Sequence, residues 1–177
     1  MFTRNSMCLA MTLACLLAAE SGIAADNPKL GEEVGSSELM RVDSTIMPNG
    51  DGLPEGSGTA TAGAAVYQQN CLACHGAGGK DGLNDGLVGG HGSLTTDRPR
   101  KTVGSYWPYA TTLFDYVHRS MPFQAPGSLS NDDVYAVTAY ILFLNEIVDE
   151  DERLDAKTLP GVRMPNRANF VWAYTPD

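Results

Sequence analysis

The chain has 177 residues, 43% of them apolar and 19% charged, with a net charge of −9. That length predicts one domain with room for an appendage, and the apolar fraction excludes a wholly disordered chain. The acidic balance argues against nucleic acid or an anionic membrane surface as the main partner, since both need a basic footprint, and favours partners carrying basic patches.

The first 25 residues read as an address. Arg4 gives a positive start, and Met7 to Ala19 is an apolar run of 13 residues. Such a run is too short to span a bilayer and fits a secretory signal, cleaved near Ala25 after small residues. Cleavage removes Cys8 and Cys15 and leaves Cys71 and Cys74 in an exported, periplasmic chain without a membrane span. Exported chains usually spread their cysteines along the sequence as disulfides. Here both fall in one short window.

Residues 26–60 form an N-terminal extension, with turn chemistry from Met47 to Pro54 and one turn of helix at most near Ser37–Val42. A disordered linker and an ordered arm that docks on a partner both stay open for it. Residues 61–71 predict a helix with Ala62, Val66 and Tyr67 near one face. Residues 76–105 are rich in glycine. A loop that long inside a compact domain implies that it wraps something, and a large flat prosthetic group is such an object.

Helical spacing returns from Pro108 to Arg119, with Leu113, Phe114 and Val117 as its apolar stripe and Pro108 in the first turn. Pro122 then forces Met121 into an extended conformation. The strongest helix starts at a capping box of Ser130 and Asp133 and carries Val134, Val137, Ile141, Leu144 and Val148. The acidic run Asp149–Glu152 opposes the helix dipole and predicts a frayed exit. Residues 149–177 read as a C-terminal extension, with Pro160, Pro165 and Pro176. The elements between the extensions, residues 61–148, are helices and loops, which predicts an all-α domain.

The chemistry lies in Cys71-Leu72-Ala73-Cys74-His75, a C-x-x-C-H motif. It is the attachment signature of haem c. Two thiols three residues apart reach the two vinyl groups of one haem as thioethers, and the next residue, His75, falls under the iron as the proximal ligand. The motif has three rivals. A thioredoxin-like pair needs a βαβ context that this sequence lacks. A zinc site needs a fourth strong ligand, and only His91 and His118 remain. A disulfide explains the cysteines but not His75. One C-x-x-C-H means one covalent haem.

The second axial ligand decides what the iron can do. Met/His ligation raises the reduction potential and closes the iron to substrate. Met40, Met47, Met121 and Met164 are available beside His91 and His118. Met121 is the choice: it lies 46 residues after His75, in a Pro-shaped loop just before the last long helix. Met164, also followed by proline, is the runner-up. His118 reads as a surface or propionate-side histidine. Tyr106, Trp107 and Tyr109 read first as core packing, with Tyr106 or Trp107 also able to bond a propionate. Arg98, Arg100 and Lys101 would neutralise propionate charge or sit on a solvated loop.

The order of helix, C-x-x-C-H, loop, Met-Pro and terminal helix resembles a class I cytochrome c over residues 61–148. That resemblance implies a crossing of first and last helices through Gly63, Tyr67 and Tyr140. Longer strings extend it: Leu53 to Thr59, Thr102 to Val117, Arg119 to Phe123, and Met164 to Arg167. These are similar to the cytochrome subunit of periplasmic sulfur and sulfite dehydrogenases of the Sox type. The similarity implies electron transfer, with no catalysis by this chain alone. A molybdenum-cofactor subunit would be the donor, a further carrier the acceptor, and the extensions docking arms. Some members carry a second haem domain; this sequence has a single haem motif. A free diffusible cytochrome serving another donor or an oxidase, and a haem enzyme or sensor with an open iron position, are the alternatives.

Overall fold

The computed structural model describes residues 31–84 and 86–171, and the expected export signal lies outside them. The chain divides into two units, Met1–Val42 and Asp43–Asp177. In the first, helix α1 spans Ser36–Val42, where the sequence offered one turn. Val34, Leu39 and Val42 are exposed there.

The second unit is helical around one core. Helix α2 spans Ala60–Asn70, and its start is fixed by the Thr59 hydroxyl, which accepts from the Ala62 N–H at 3.4 Å. A single turn, α3, covers Leu72–His75. Helix α4 covers Ala110–Ser120 and α5 covers Asn131–Leu144. The capping box is present: Ser130 Oγ accepts from the Asp133 N–H at 3.2 Å and donates to its carboxylate at 2.6 Å. The all-α expectation holds with one addition. Strand β1, Ser57–Gly58, pairs antiparallel with β2, Leu154–Asp155. Two residues a side are too few to give a periodic signal. Among the described residues no helix is long and apolar enough to cross a membrane.

Helices α2 and α5 cross as the resemblance implied. Gly63 lies directly under the Ala136 carbonyl, where any Cβ would overlap it. Tyr67 packs on Tyr140 with ring centroids 5.3 Å apart at 55°. Two expectations are corrected. Ala62 is exposed, because the buried stripe of α2 runs through Ala60, Gly63 and Tyr67 at helical spacing. The last helix stops at Leu144 rather than Val148. It ends in a closed cap: the Glu146 N–H reaches the Phe143 carbonyl at 2.8 Å and the Ile147 N–H reaches Leu142 at 3.0 Å. The acidic run therefore lies beyond the helix and opposes no dipole.

Residues on both sides of the helices join the same core. Ile46, Leu154, Leu159, Val162 and Met164 are buried in it. The Tyr135 hydroxyl donates to the Pro54 carbonyl at 2.9 Å, and the Ser57 N–H donates to Asp132 at 2.7 Å. The Asn166 amide donates to the Tyr106 carbonyl at 2.8 Å. Arg153 bonds the Ser57 hydroxyl beside the strand pair. Apart from the exposed Met47, the large apolar residues of 43–60 and 149–164 are thus engaged within this chain.

Candidate functional site

Cys71 caps the C-terminus of α2, its N–H bonded to the Tyr67 carbonyl at 2.9 Å. The chain then makes the one turn of α3, with the N–H groups of Cys74 and His75 both on the Cys71 carbonyl, at 3.1 and 2.9 Å. Positions three and four apart share a helix face, so one turn is enough to gather the two thiols and the imidazole. Gly76 ends the turn at φ +75°, a conformation that side chains resist. The Tyr67 hydroxyl donates to its carbonyl at 2.9 Å, which ties the motif to the helix crossing.

These three residues line a cavity of about 420 Å³, and Met121 lines it from the loop after α4. Met121 is the C-cap of α4 and is extended, at φ −124° and ψ 148°, as Pro122 requires. Val103, Leu113, Val117, Val137 and Ile141 supply apolar walls. Trp107 and Tyr116 line it as an edge-on pair 5.8 Å apart, with Tyr116 half exposed. Among the described residues that line it, Lys101 carries the one formal charge of a basic side chain, and Asn84, Thr102 and Gln124 add neutral polar groups. The volume falls within the range of small-molecule and cofactor sites, which are apolar with a few polar groups.

The donor set fits a covalently bound haem. Two half-buried thiols stand one helical turn apart, neither is in a disulfide, and a histidine and a methionine reach the same cavity. The rivals fare worse. Burial pushes the Cys71 thiol up to about 11, with repulsion from Cys74 adding to it. A nucleophilic redox thiol is instead depressed toward neutrality. For zinc, no group of three or more His, Cys, Asp or Glu among the described residues is arranged to hold a metal ion.

The other candidates fall elsewhere. Met164 is 4% exposed within the core and does not line the cavity, and Met47 is exposed. His118 stacks on Phe114, with centroids 5.8 Å apart, and its Nδ1 is buried without a hydrogen-bond partner among the described residues. His91, Arg98 and Arg100 are exposed. Of the aromatic cluster, Trp107 faces the cavity, Tyr106 carries Lys101 over its ring at 4.9 Å, and Tyr109 lies under Arg167. Sequence reasoning passed over Thr102, Leu129 and Asn145. Asn145 had one faint signal: a buried polar residue where an apolar helix stops.

The family described as cytochrome C oxidase, cbb3-type, subunit III matches residues 58–141. The crystal structure of the sulfane dehydrogenase SoxCD from Paracoccus pantotrophus is 44% identical, with a TM-score of 0.75, covering 82% of this chain and 72% of that one. A thiosulfate dehydrogenase of Psychrobacter arcticus is 26% identical over 124 residues, 70% of this chain. This chain spans about a third (34%) of the length of that curated relative.

Proposed function

This chain belongs to the Sox-type cytochromes c, and on that footing we propose that it is a monohaem electron-transfer subunit, fed by a molybdenum-cofactor dehydrogenase subunit that oxidises a sulfur compound. The observation that carries this reading is the meeting of Cys71, Cys74, His75 and Met121 at one largely apolar cavity. Haem c, when bound, supplies a one-electron iron couple.

The chain's own residues do the rest. Cys71 and Cys74 anchor the group covalently. His75 would give its imidazole and Met121 its thioether to the iron, so that protein ligands would fill the site. A filled site favours electron transfer over substrate chemistry and raises the potential. Val103, Val117, Val137 and Ile141 keep water from the walls, while Lys101 offers a cation to a propionate. Tyr116 and Phe123, both exposed at the cavity, mark where a partner approaches.

Residues 1–25 direct export, which puts the protein in the periplasm. Residues 61–148 form the haem domain, with 26–60 and 149–177 as its extensions. The sulfane and thiosulfate dehydrogenases to which the chain is similar support a sulfur donor. They also support a role as one component of an oxidoreductase; in this reading the catalysis belongs to the partner subunit. The downstream acceptor is a further electron carrier.

Isolating the full protein from its native periplasm at low salt tests this. Its mass should show one covalent haem. Sulfite or thiosulfate should reduce that haem, with a molybdenum subunit co-purifying. A haem protein that runs alone and stays oxidised with both would be a diffusible cytochrome with another donor. Met121→Ala should lower the potential and open the iron to CO; a variant with unchanged potential would remove Met121 from the site.

A further inference from the structure

The wall of the cavity between Gly86 and Val103 has few apolar anchors of its own, yet Leu87, Lys101, Thr102 and Val103 all line the cavity from it. One side chain outside the cavity ties it to α5. Asn145 follows the last residue of α5 and is 2% exposed. Its Nδ2 donates to the Ile141 carbonyl at 2.9 Å and to the Leu87 carbonyl at 3.1 Å. Its Oδ1 accepts from the Gly89 N–H at 3.1 Å. From there the bonds continue. The Thr102 hydroxyl donates to the Gly89 carbonyl at 2.6 Å, the Thr102 N–H donates to Ser105 Oγ at 2.9 Å, and Ser105 Oγ donates to the Arg100 carbonyl at 2.6 Å. Gly104 makes room for the amide, since a Cβ there would overlap Asn145 Oδ1 and crowd the His91 ring.

We propose that Asn145 is the positioning residue that sets this loop wall against α5 and thereby tunes the haem that the cavity holds. The inference rests on the haem reading above. Only a short planar amide offers two donors and an acceptor at this spot. Aspartate keeps the acceptor but turns a carboxylate toward two carbonyls. Leucine fills the space and leaves the Leu87 and Ile141 carbonyls and the Gly89 N–H without this partner, and unpaired buried groups drive local rearrangement. Either change loosens the wall and admits water to the cavity. Haem potentials follow burial and the polar groups around the site, and water favours the more highly charged ferric form.

The test uses the full-length holoprotein. Covalent haem is first established by mass in the wild type; its absence would overturn the haem reading and this inference together, before any variant is made. Asn145→Asp and Asn145→Leu should then shift the oxidised-to-reduced ratio at fixed ambient potential about tenfold toward the oxidised form, a scale taken from the lower end of what outer-shell changes do to metal affinity or activity. Ser105→Ala, one step further along the bonds, should shift it in the same direction by less. Tyr135→Phe, which loosens residues 54–57 and does not line the cavity, should lower the melting temperature and leave the ratio alone. Asn145 variants that melt earlier at wild-type potential would make Asn145 a mere helix cap and overturn the proposal. Should neither Asn145 variant fold, a wild-type potential in Ser105→Ala overturns it equally.

Discussion

The crossing of α2 with α5 and the loop wall between Gly86 and Val103 bound the same cavity by different means. At the crossing, two regular helices touch through an absent side chain, Gly63, and an aromatic pair, Tyr67 and Tyr140. In the wall, the backbone turns through positive φ at Gly89 and Gly90, and its position is set by Asn145, Thr102 and Ser105. Packing fixes the first region and hydrogen bonds fix the second. Close packing makes the crossing intolerant of added volume. The wall is tight too where Gly90 and Gly104 pass its own bonds, but its position depends in addition on a few polar groups having partners.

The largest effect should come from adding volume at the crossing. Gly63→Val places a branched side chain where even a Cβ meets the Ala136 carbonyl and the Tyr140 Cβ. We expect a loss of about 3 kcal/mol or more in a denaturant titration, with haem attachment reduced because Cys71 and His75 follow from α2. Wild-type stability in this variant would mean that the helices can slide apart cheaply, and the contrast with the wall would collapse.

What could be read in the sequence follows the same division. The helices were legible because burial imposes a period: Leu113, Phe114 and Val117 in α4 and Val134, Val137 and Ile141 in α5 are all buried. The cysteines and His75 were legible because a single helical turn fixes their spacing. Met121 was legible as a candidate because Pro122 constrains its backbone. The wall was not. Its glycines signalled a loop, but which polar groups hold that loop depends on contacts across 56 positions, as from Gly89 to Asn145. The helix end at Leu144 was misplaced because Val148 continues the apolar spacing after the cap has closed. The inward packing of Ile46 and Leu159 was also hidden, since the turn residues around them read equally well as a free arm.

The segments flanking the helices sharpen the comparison next. Leu154 and Leu159 are fully buried, so they behave as core despite lying beyond the helices. Leu154→Ala should cost about 2–5 kcal/mol, in one transition shared with the haem absorbance. A separate early transition would show that the C-terminal segment is an independent strap.

A smaller effect belongs to Tyr135. Its hydroxyl bonds the Pro54 carbonyl, and Tyr135→Phe should cost about 1 kcal/mol. Burial, then the charge of Asp155, raises this phenol from 10.0 to about 12. An unfolded tyrosine ionises near 10.0, so the folded state resists a proton loss that the unfolded state accepts. The contribution is complete below that value and is lost as pH climbs toward 12. Tyr67 is raised to about 12 as well, chiefly by burial, so the alkaline loss has two sources. Tyr135→Phe should make the loss shallower without removing it. An unchanged alkaline profile would count against the buried phenol as its origin.

The smallest effect concerns the cap of α5, where the two regions meet. Glu146 occupies the position after the cap at φ +59°, exposed and with no Cβ-free relief of that conformation. Glycine is the usual occupant of this position because it adopts positive φ without steric cost. Glu146→Gly also removes a carboxylate from a helix C-terminus, where the dipole disfavours it. Against this stands the greater freedom of glycine in the unfolded chain. The net should be a gain of about 0.5–1 kcal/mol, read as a melting temperature higher by about 1–4 °C. The Glu146 and Ile147 N–H groups keep their bonds to Phe143 and Leu142, and Asn145 keeps its place, so the potential should not move. A gain in stability with a changed potential would instead show that the cap and the wall respond as one unit. The helix end would then transmit strain to the cavity through the backbone as well as through the Asn145 amide.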